Sequence, residues 1–248
     1  MRDPSSLPGW LAARILHIRP DAMVIDKPAG LPVDPGRPHP GRPPKPSLED
    51  WLPLLQLGRR HPPQPIHRLD TDTAGCLLLG RTRPSLGALG ALFAEKRAGK
   101  TYWAIVAGRP PGEGGTLDAP LRKTSTREGG WRIESHPQGQ PARTAWRLAG
   151  TAGSGNNALS WLELRPETGR THQLRVHCAL LGCPILGDPV YGGAASVNGR
   201  AAGVMHLLAR SLSLPLDPPL LATAPIPDAM AAAFALCGAP GDSRHTAG

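Results

Sequence analysis

Short apolar runs, separated by stretches rich in proline and glycine, set the pattern of this chain. Ala22-Met23-Val24-Ile25-Asp26-Lys27 predicts a short strand closed by the turn Pro28-Ala29-Gly30. Cys76-Leu77-Leu78-Leu79 is an unbroken apolar run suited to a buried strand. Residues 85–97 place Leu86, Leu89, Leu92 and Phe93 at helical spacing, with Gly99 as a stop. Tyr102 to Ala107, Thr144 to Ala149 and Ala158 to Arg165 predict strands, although Leu159, Trp161 and Leu164 do not alternate perfectly. Residues 171–182 predict a helix that starts near Thr171 and ends at Gly182-Cys183-Pro184. A shorter helix is expected over 47–57, with Ser47 as its cap and Glu49 and Asp50 in its first turn. Arg37 to Pro46 holds five prolines and three basic residues and predicts an exposed loop.

Strands come in runs with occasional helices. There is no regular strand–helix alternation, no internal repeat and no glycine-rich phosphate loop. The expected class is therefore α+β: a single catalytic domain with a mixed, mostly antiparallel central sheet flanked by helices and loops. Residues 1–21 read as a short lead-in, 22–228 as the domain, and 229–248 as an Ala- and Gly-rich flexible tail.

Charge narrows the function. The 248 residues carry a net +9, concentrated as +7 in residues 1–124 against +2 in the remainder. Of the 28 basic residues, 23 are Arg, whose planar fork suits phosphates and stacks on bases. High-GC coding explains the Arg:Lys ratio equally well but not the net charge, which favours a polyanionic partner. No run of apolar residues is long enough to span a membrane, and Arg14 and His17 interrupt any secretory core. The cysteines (Cys76, Cys178, Cys183, Cys237) form neither a paired framework nor a zinc spacing, so a reduced, cytoplasmic protein is expected.

Three segments are dense in chemistry. His67-Arg68-Leu69-Asp70-Thr71-Asp72-Thr73-Ala74-Gly75 packs a His, an Arg and two carboxylates into a turn-prone stretch before a buried strand, although composition alone would let Asp70 or Asp72 make only an Asx turn. Arg165 to His177 places Arg170 and Arg175 where a strand gives way to a helix, whose free N–H groups favour anions; a cap with solvated arginines is the plainer reading. His172 and His177 are five apart, and no Glu follows His172, which disfavours a zinc protease. Lys100-Thr101-Tyr102-Trp103 opens a strand with one of only two tyrosines.

Together these segments resemble the RNA pseudouridine synthases of the RluA type. The likeness runs from Asp26-Lys27-Pro28-Ala29-Gly30-Leu31-Pro32-Val33 through His67-Arg68-Leu69-Asp70 with Thr73 and Gly75. It continues through Lys100, Tyr102, Ala104 and Val106 to Thr168-Gly169-Arg170-Thr171-His172-Gln173-Leu174-Arg175-Val176-His177, then Gly187-Asp188-Pro189, Tyr191-Gly192 and Met205-His206-Leu207. It spans roughly residues 22–216 in the family's order. Ala74 stands where the family usually has Ser, and no separate RNA-binding domain precedes residue 22, as in the short members.

The resemblance implies isomerisation of uridines to pseudouridine in structured RNA, ribosomal RNA or tRNA or both, by a monomer with its active-site cleft across the sheet. It implies no cofactor and no metal. Asp70 matches the catalytic aspartate, acting as nucleophile or base at the ribose. Arg170 matches the guanidinium that keeps it ionised, and Tyr102 the tyrosine that stacks on the flipped uracil. Arg68 would fill the vacated place in the base stack, and His67, Lys100, His172 and Arg175 would contact RNA. The main competing reading is an inactive RNA-binding or ribosome-associated protein. A glycosidase pair of Asp70 and Asp72 is disfavoured, because residues two apart in an extended strand face opposite sides.

Overall fold

The computed structural model describes residues 7–36, 46–125, 130–192, 196–197, 200–201 and 203–241. In chain order the elements are α1 (Gly9–Ala12), β1 (Ile15–Ile18), β2 (Ala22–Lys27), β3 (Gln64–Pro65), β4 (Ala74–Gly80), α2 (Arg83–Ala94), β5 (Gly99–Ala107), β6 (Gly114–Asp118), β7 (Leu121–Ser125) and β8 (Trp131–Ser135). They continue with β9 (Arg143–Ala152), β10 (Leu159–Pro166), α3 (Gln173–Leu180), β11 (Ser196–Val197), β12 (Arg200–Ala201), β13 (Leu207–Leu214), β14 (Leu220–Thr223) and α4 (Asp228–Leu236). The class is α+β with a mostly antiparallel central sheet, as the strand runs suggest. Most of the proline-rich loop, residues 37–45, lies outside the described residues.

The stretch expected as one domain contains two compact units, one reaching to Lys100 and including Ala209–Ala224, the other comprising Thr101–Leu208 and the chain from Pro225. In the first, the strand order is β1-β2-β4-β13, with β3 beside β4 and β14 beside β13. The lead-in is part of this sheet: Leu11 is fully buried, and β1 pairs with β2 from Ile18↔Met23 to Ile15↔Ile25. Strand β4 is buried along its whole length and pairs with β2 from Ala22↔Gly80 to Lys27↔Gly75. Gly75 is required there: its φ is +108°, and a Cβ would overlap the Ala209 carbonyl of the neighbouring strand. Helix α2 starts at Thr82, whose hydroxyl accepts from Ser85 N–H, and buries Leu89 and Leu92. The helix expected over 47–57 is instead two 3-10 turns, Leu48–Asp50 and Leu54–Gln56, because Pro53 interrupts it.

In the second unit β5-β10-β9-β6 are antiparallel neighbours, β7 and β8 form a separate hairpin, and α3 adds Leu174 and Cys178 to a core of Ala104, Val106, Leu162, Leu164 and Ile185. The tail expected from residue 229 is corrected here. Asp228–Leu236 is a helix that buries Met230, Ala233 and Phe234. The ring of Phe234 packs 6.0 Å from Trp103 and 6.4 Å from Trp161. The four cysteines are buried free thiols, and no described helix is long and apolar enough to cross a membrane.

Phe234→Ala should therefore cost about 3–5 kcal/mol of stability. Denaturant unfolding would show it, and an unchanged midpoint would return α4 to the status of a loose tail.

Candidate active site

Strand β2 carries Lys27 to its end, where the side chain is fully buried. Its Nζ donates to the carbonyls of Pro28 (2.8 Å), Leu31 (2.7 Å) and Thr71 (3.0 Å). Gly30 N–H also donates to Thr71 O at 2.9 Å, and Thr73 N–H to Asp70 O at 3.0 Å, closing a turn. One ammonium thus ties the Pro28–Leu31 loop to the Asp70 turn and presents a half-buried Asp70 at the edge of a rigid strand. Burial draws Lys27 down to about 8 against the carboxylates of Asp72, Asp70 and Asp26, so the ammonium stays mostly charged at neutral pH. Asp26, raised by burial, is paired with Arg14 at 3.1 Å.

Beside this turn lies a cavity of about 770 Å³, lined by Ala29 to Gly36 with Arg68, Leu69 and Thr71. Arg68 is exposed, with Nη1 3.4 Å from an Asp34 carboxylate oxygen. An ion pair so open to water holds the guanidinium only weakly, which leaves it available to a ligand.

His67 corrects the sequence reading. It was expected on RNA, but its Nε2 accepts the Leu78 N–H at 3.1 Å and its ring stacks on Phe93 at 4.7 Å. Burial, with Lys100 adding to it, holds the imidazole down to about 4, so it is a neutral brace between the Asp70 turn and β4. Lys100 covers the same phenyl ring, its Nζ 5.8 Å from the centroid.

In the second unit, Tyr102 is half-buried on β5 opposite Leu164, packed against the core. Arg170 is exposed, and its Nε donates to Pro141 O at 3.1 Å. Gln173, buried at the start of α3, sets the loop before it. Its Oε1 accepts from Thr168 Oγ1 (2.7 Å) and Arg170 N–H (3.0 Å), while Nε2 donates to Arg143 O (2.9 Å) and Thr144 Oγ1 (3.0 Å). His172 has a left-handed φ of +53°, a ring 5.1 Å from Trp131, and Nδ1 2.9 Å from the Tyr191 hydroxyl.

Arg175 is the second correction. It forms a bidentate ion pair with Asp188, both bonds 2.8 Å, and is only 3% exposed. Asp188 also accepts N–H groups from Val190 and Tyr191, and these partners hold its carboxyl below the usual range against burial. This guanidinium is committed to the protein. The sequence marked it by charge; the nearby Asp188-Pro189 was the signal that it had an internal partner.

Asp70, Arg68, His67 and Lys100 thus belong to the first unit, and Tyr102, Arg170, His172 and Arg175 to the second. Sequence reasoning gave no role to Lys27 or Gln173, the two buried donors that set the loops. Among the described residues, no cluster of His, Cys, Asp and Glu could hold a metal ion.

A carboxylate turn fixed on a buried ammonium thus lies beside an arginine-edged cavity in a basic α+β chain. A family model described as RNA pseudouridylate synthase matches residues 21–180. The chain belongs to this family of isomerases, of the RluA type. It is 43% identical over 222 residues to an uncharacterized RNA pseudouridine synthase of Zymomonas mobilis, covering 88% of this chain and 96% of that one. It is 36% identical to that organism's ribosomal large subunit pseudouridine synthase D, covering 85% of this chain but 62% of the relative. Among solved structures, human RNA pseudouridylate synthase domain containing 4 superimposes with a TM-score of 0.74 at 27% identity, over 92% of this chain and 94% of that one.

Lys27→Met keeps the volume and removes the donor from three carbonyls. It should lower stability by at least about 3 kcal/mol and disorder the Asp70 turn, read as a drop in the thermal midpoint. His67 gives a pH signature. The unfolded imidazole takes up its proton near 6.5, the folded one only near 4, so stability should fall as pH drops from about 6.5 to about 4. His177 and His206, also lowered by burial, add to the slope. His67→Gln, whose amide oxygen can still accept from Leu78, should shrink that pH dependence in melts at pH 7.5 and 4.5.

Proposed function

We propose that the chain converts specific uridines in structured RNA to pseudouridine, with Asp70 as the catalytic aspartate. The observation that carries this reading is the Asp70 turn, held by Lys27 at the edge of a buried strand in a chain of this family. The reaction breaks the bond from ribose C1′ to uracil N1, turns the detached base, joins C1′ to C5 and releases the C5 proton, while N1 takes up a proton in its place. Substrate and product are isomers, so no group or electron is supplied from outside. Asp70 acts at the ribose. The Lys27 ammonium holds the turn that carries it, and Arg170 supplies a further exposed cation for the bound RNA. Tyr102 stacks on the uracil and takes the C5 proton.

The target base leaves its stack to be reached, at a cost of a few kcal/mol that is least in distorted loops. Arg68 fills the space it vacates, and Lys100 and His172 contact the flanking RNA. Large-subunit ribosomal RNA is the first substrate to test, because a relative 36% identical carries that name, and tRNA is the second. The enzyme acts as a cytoplasmic monomer.

The test uses RNA tritiated at uracil C5, which releases label to water when C5 becomes bonded to ribose. Wild type should release it from ribosomal RNA or tRNA without added cofactor, and Asp70→Asn should release none. Release by Asp70→Asn at the wild-type rate would remove Asp70 from the chemistry. Tyr102→Phe keeps the stacking face and loses the hydroxyl. RNA affinity should stay within about twofold, while turnover falls by about 10²-fold or more if the hydroxyl carries the proton.

A further inference from the structure

At the far end of β4, about 20 Å along the strand from Gly75, three arginines converge away from the candidate active site. Arg81 Nη1 donates to Arg19 O at 2.7 Å, and Arg59 Nη2 donates to Pro20 O at 2.7 Å. Consecutive carbonyls therefore hold the two guanidiniums side by side. Arg19 lies behind them, its Nε on Asp21 at 2.6 Å and its terminal nitrogens on the carbonyls of Pro218 (2.9 Å) and Asp217 (3.3 Å). Asp21 is thus paired with Arg19, while Arg59 and Arg81 are held by backbone carbonyls.

Arg81 is 4% exposed, yet its Nε and Nη2 have no hydrogen-bond partner, and neither has Arg59 Nε. Proteins rarely leave a charged donor buried and unmatched. Here three such N–H groups occur on two adjacent guanidiniums, whose mutual repulsion helps lower Arg81 from its usual range, after burial itself. A tetrahedral oxyanion answers both needs: its oxygens accept several N–H groups at once, and its charge offsets the excess. A water molecule would satisfy the hydrogen bonds but not the charge. The Thr82–Ser85 box already caps the adjoining helix α2, so the unmatched donors are the arginines' own. Arg59 is the way in. It is half-buried, so of the two side chains it is the one that reaches solvent, and it follows Gly58 in a left-handed turn at φ +78°.

We propose that Arg59 and Arg81 form a phosphate-binding site, and that its occupant is a backbone phosphate of the RNA outside the segment held at Asp70. The identity of the occupant rests on the function proposed above; the phosphate site does not.

Two measurements on the full chain test this. The first is thermal melting with inorganic phosphate against chloride at matched ionic strength. Phosphate should raise the midpoint of wild type and of Arg60→Ala, which loses the same charge one residue away, but not that of Arg59→Ala. The gentler Arg81→Lys, which keeps the charge and loses the fork, should also abolish the effect. The second is the salt dependence of RNA binding. Removing one phosphate contact should reduce the slope of log affinity against log salt by about 0.7–0.9 in Arg59→Ala.

Phosphate protection lost in Arg59→Ala together with a shallower slope supports the full proposal. Protection lost with an unchanged slope overturns the RNA assignment and leaves a site for free phosphate. No protection of wild type, or equal protection of Arg59→Ala, overturns the site itself. Failure of the uridine reading would appear separately, as no tritium release while phosphate protection by Arg59 persists.

Discussion

The candidate site depends on a cation that no ligand needs to touch. Lys27 has three N–H donors, and the structure supplies three carbonyls for them, from Pro28, Leu31 and Thr71. That match of number is why the ammonium can be fully buried. An amide side chain has only two donors, and an arginine fork would not fit three carbonyls converging on one point. The contact joins residues 44 apart in sequence, so it fixes the Asp70 turn through tertiary structure rather than by local turn chemistry. It also places a positive charge near Asp70 and Asp72 that is available whether or not substrate is bound.

The second unit reaches the same end by a neutral route. Gln173 uses both ends of its amide: one accepts from Thr168 and the Arg170 backbone, the other donates to Arg143 and Thr144. His177 extends the network, with Nδ1 2.9 Å from Thr144 Oγ1. In such a network each partner is worth more because the others are satisfied. The loop carrying Arg170 is thereby held by its main chain, while its guanidinium remains exposed. Its main chain is fixed by buried partners, and its long cationic side chain lies on the surface with one bond to Pro141 O.

The strands and the helices over 83–94 and 173–180 were legible because their apolar positions recur at the spacing of one buried face. Leu86, Leu89, Leu92 and Phe93 announce α2 within three residues of its ends. Other elements carried no such signal. The hairpin β7–β8 buries only Leu121 and Ile133 and is otherwise polar, so it reads as loop. Helix α4 is mostly alanine, and its place in the fold is decided by Phe234 against two tryptophans far away in sequence. Motif order singled out Asp70, Tyr102 and Arg170 by position, where composition alone did not. What a linear reading could not supply was the inside or outside of each charge.

That distinction changes what a net charge of +9 means. Lys27 is spent on carbonyls, Arg175 on Asp188, and Arg81 is enclosed with Arg59 against it. Counting them as surface charge overstates the field that draws in a polyanion, because a buried cation matched by a carboxylate or by carbonyl dipoles projects little beyond its partners. The remaining exposed arginines provide the steering, and the buried cations set the geometry that a steered ligand meets. The two roles make opposite demands. A surface cation works by being loosely held, as Arg68 is by Asp34 at 3.4 Å, and a buried one by having every donor matched. By that criterion Lys27 and Arg175 are finished structures and Arg81 is not, which makes it the place in the fold where an anion would complete the packing.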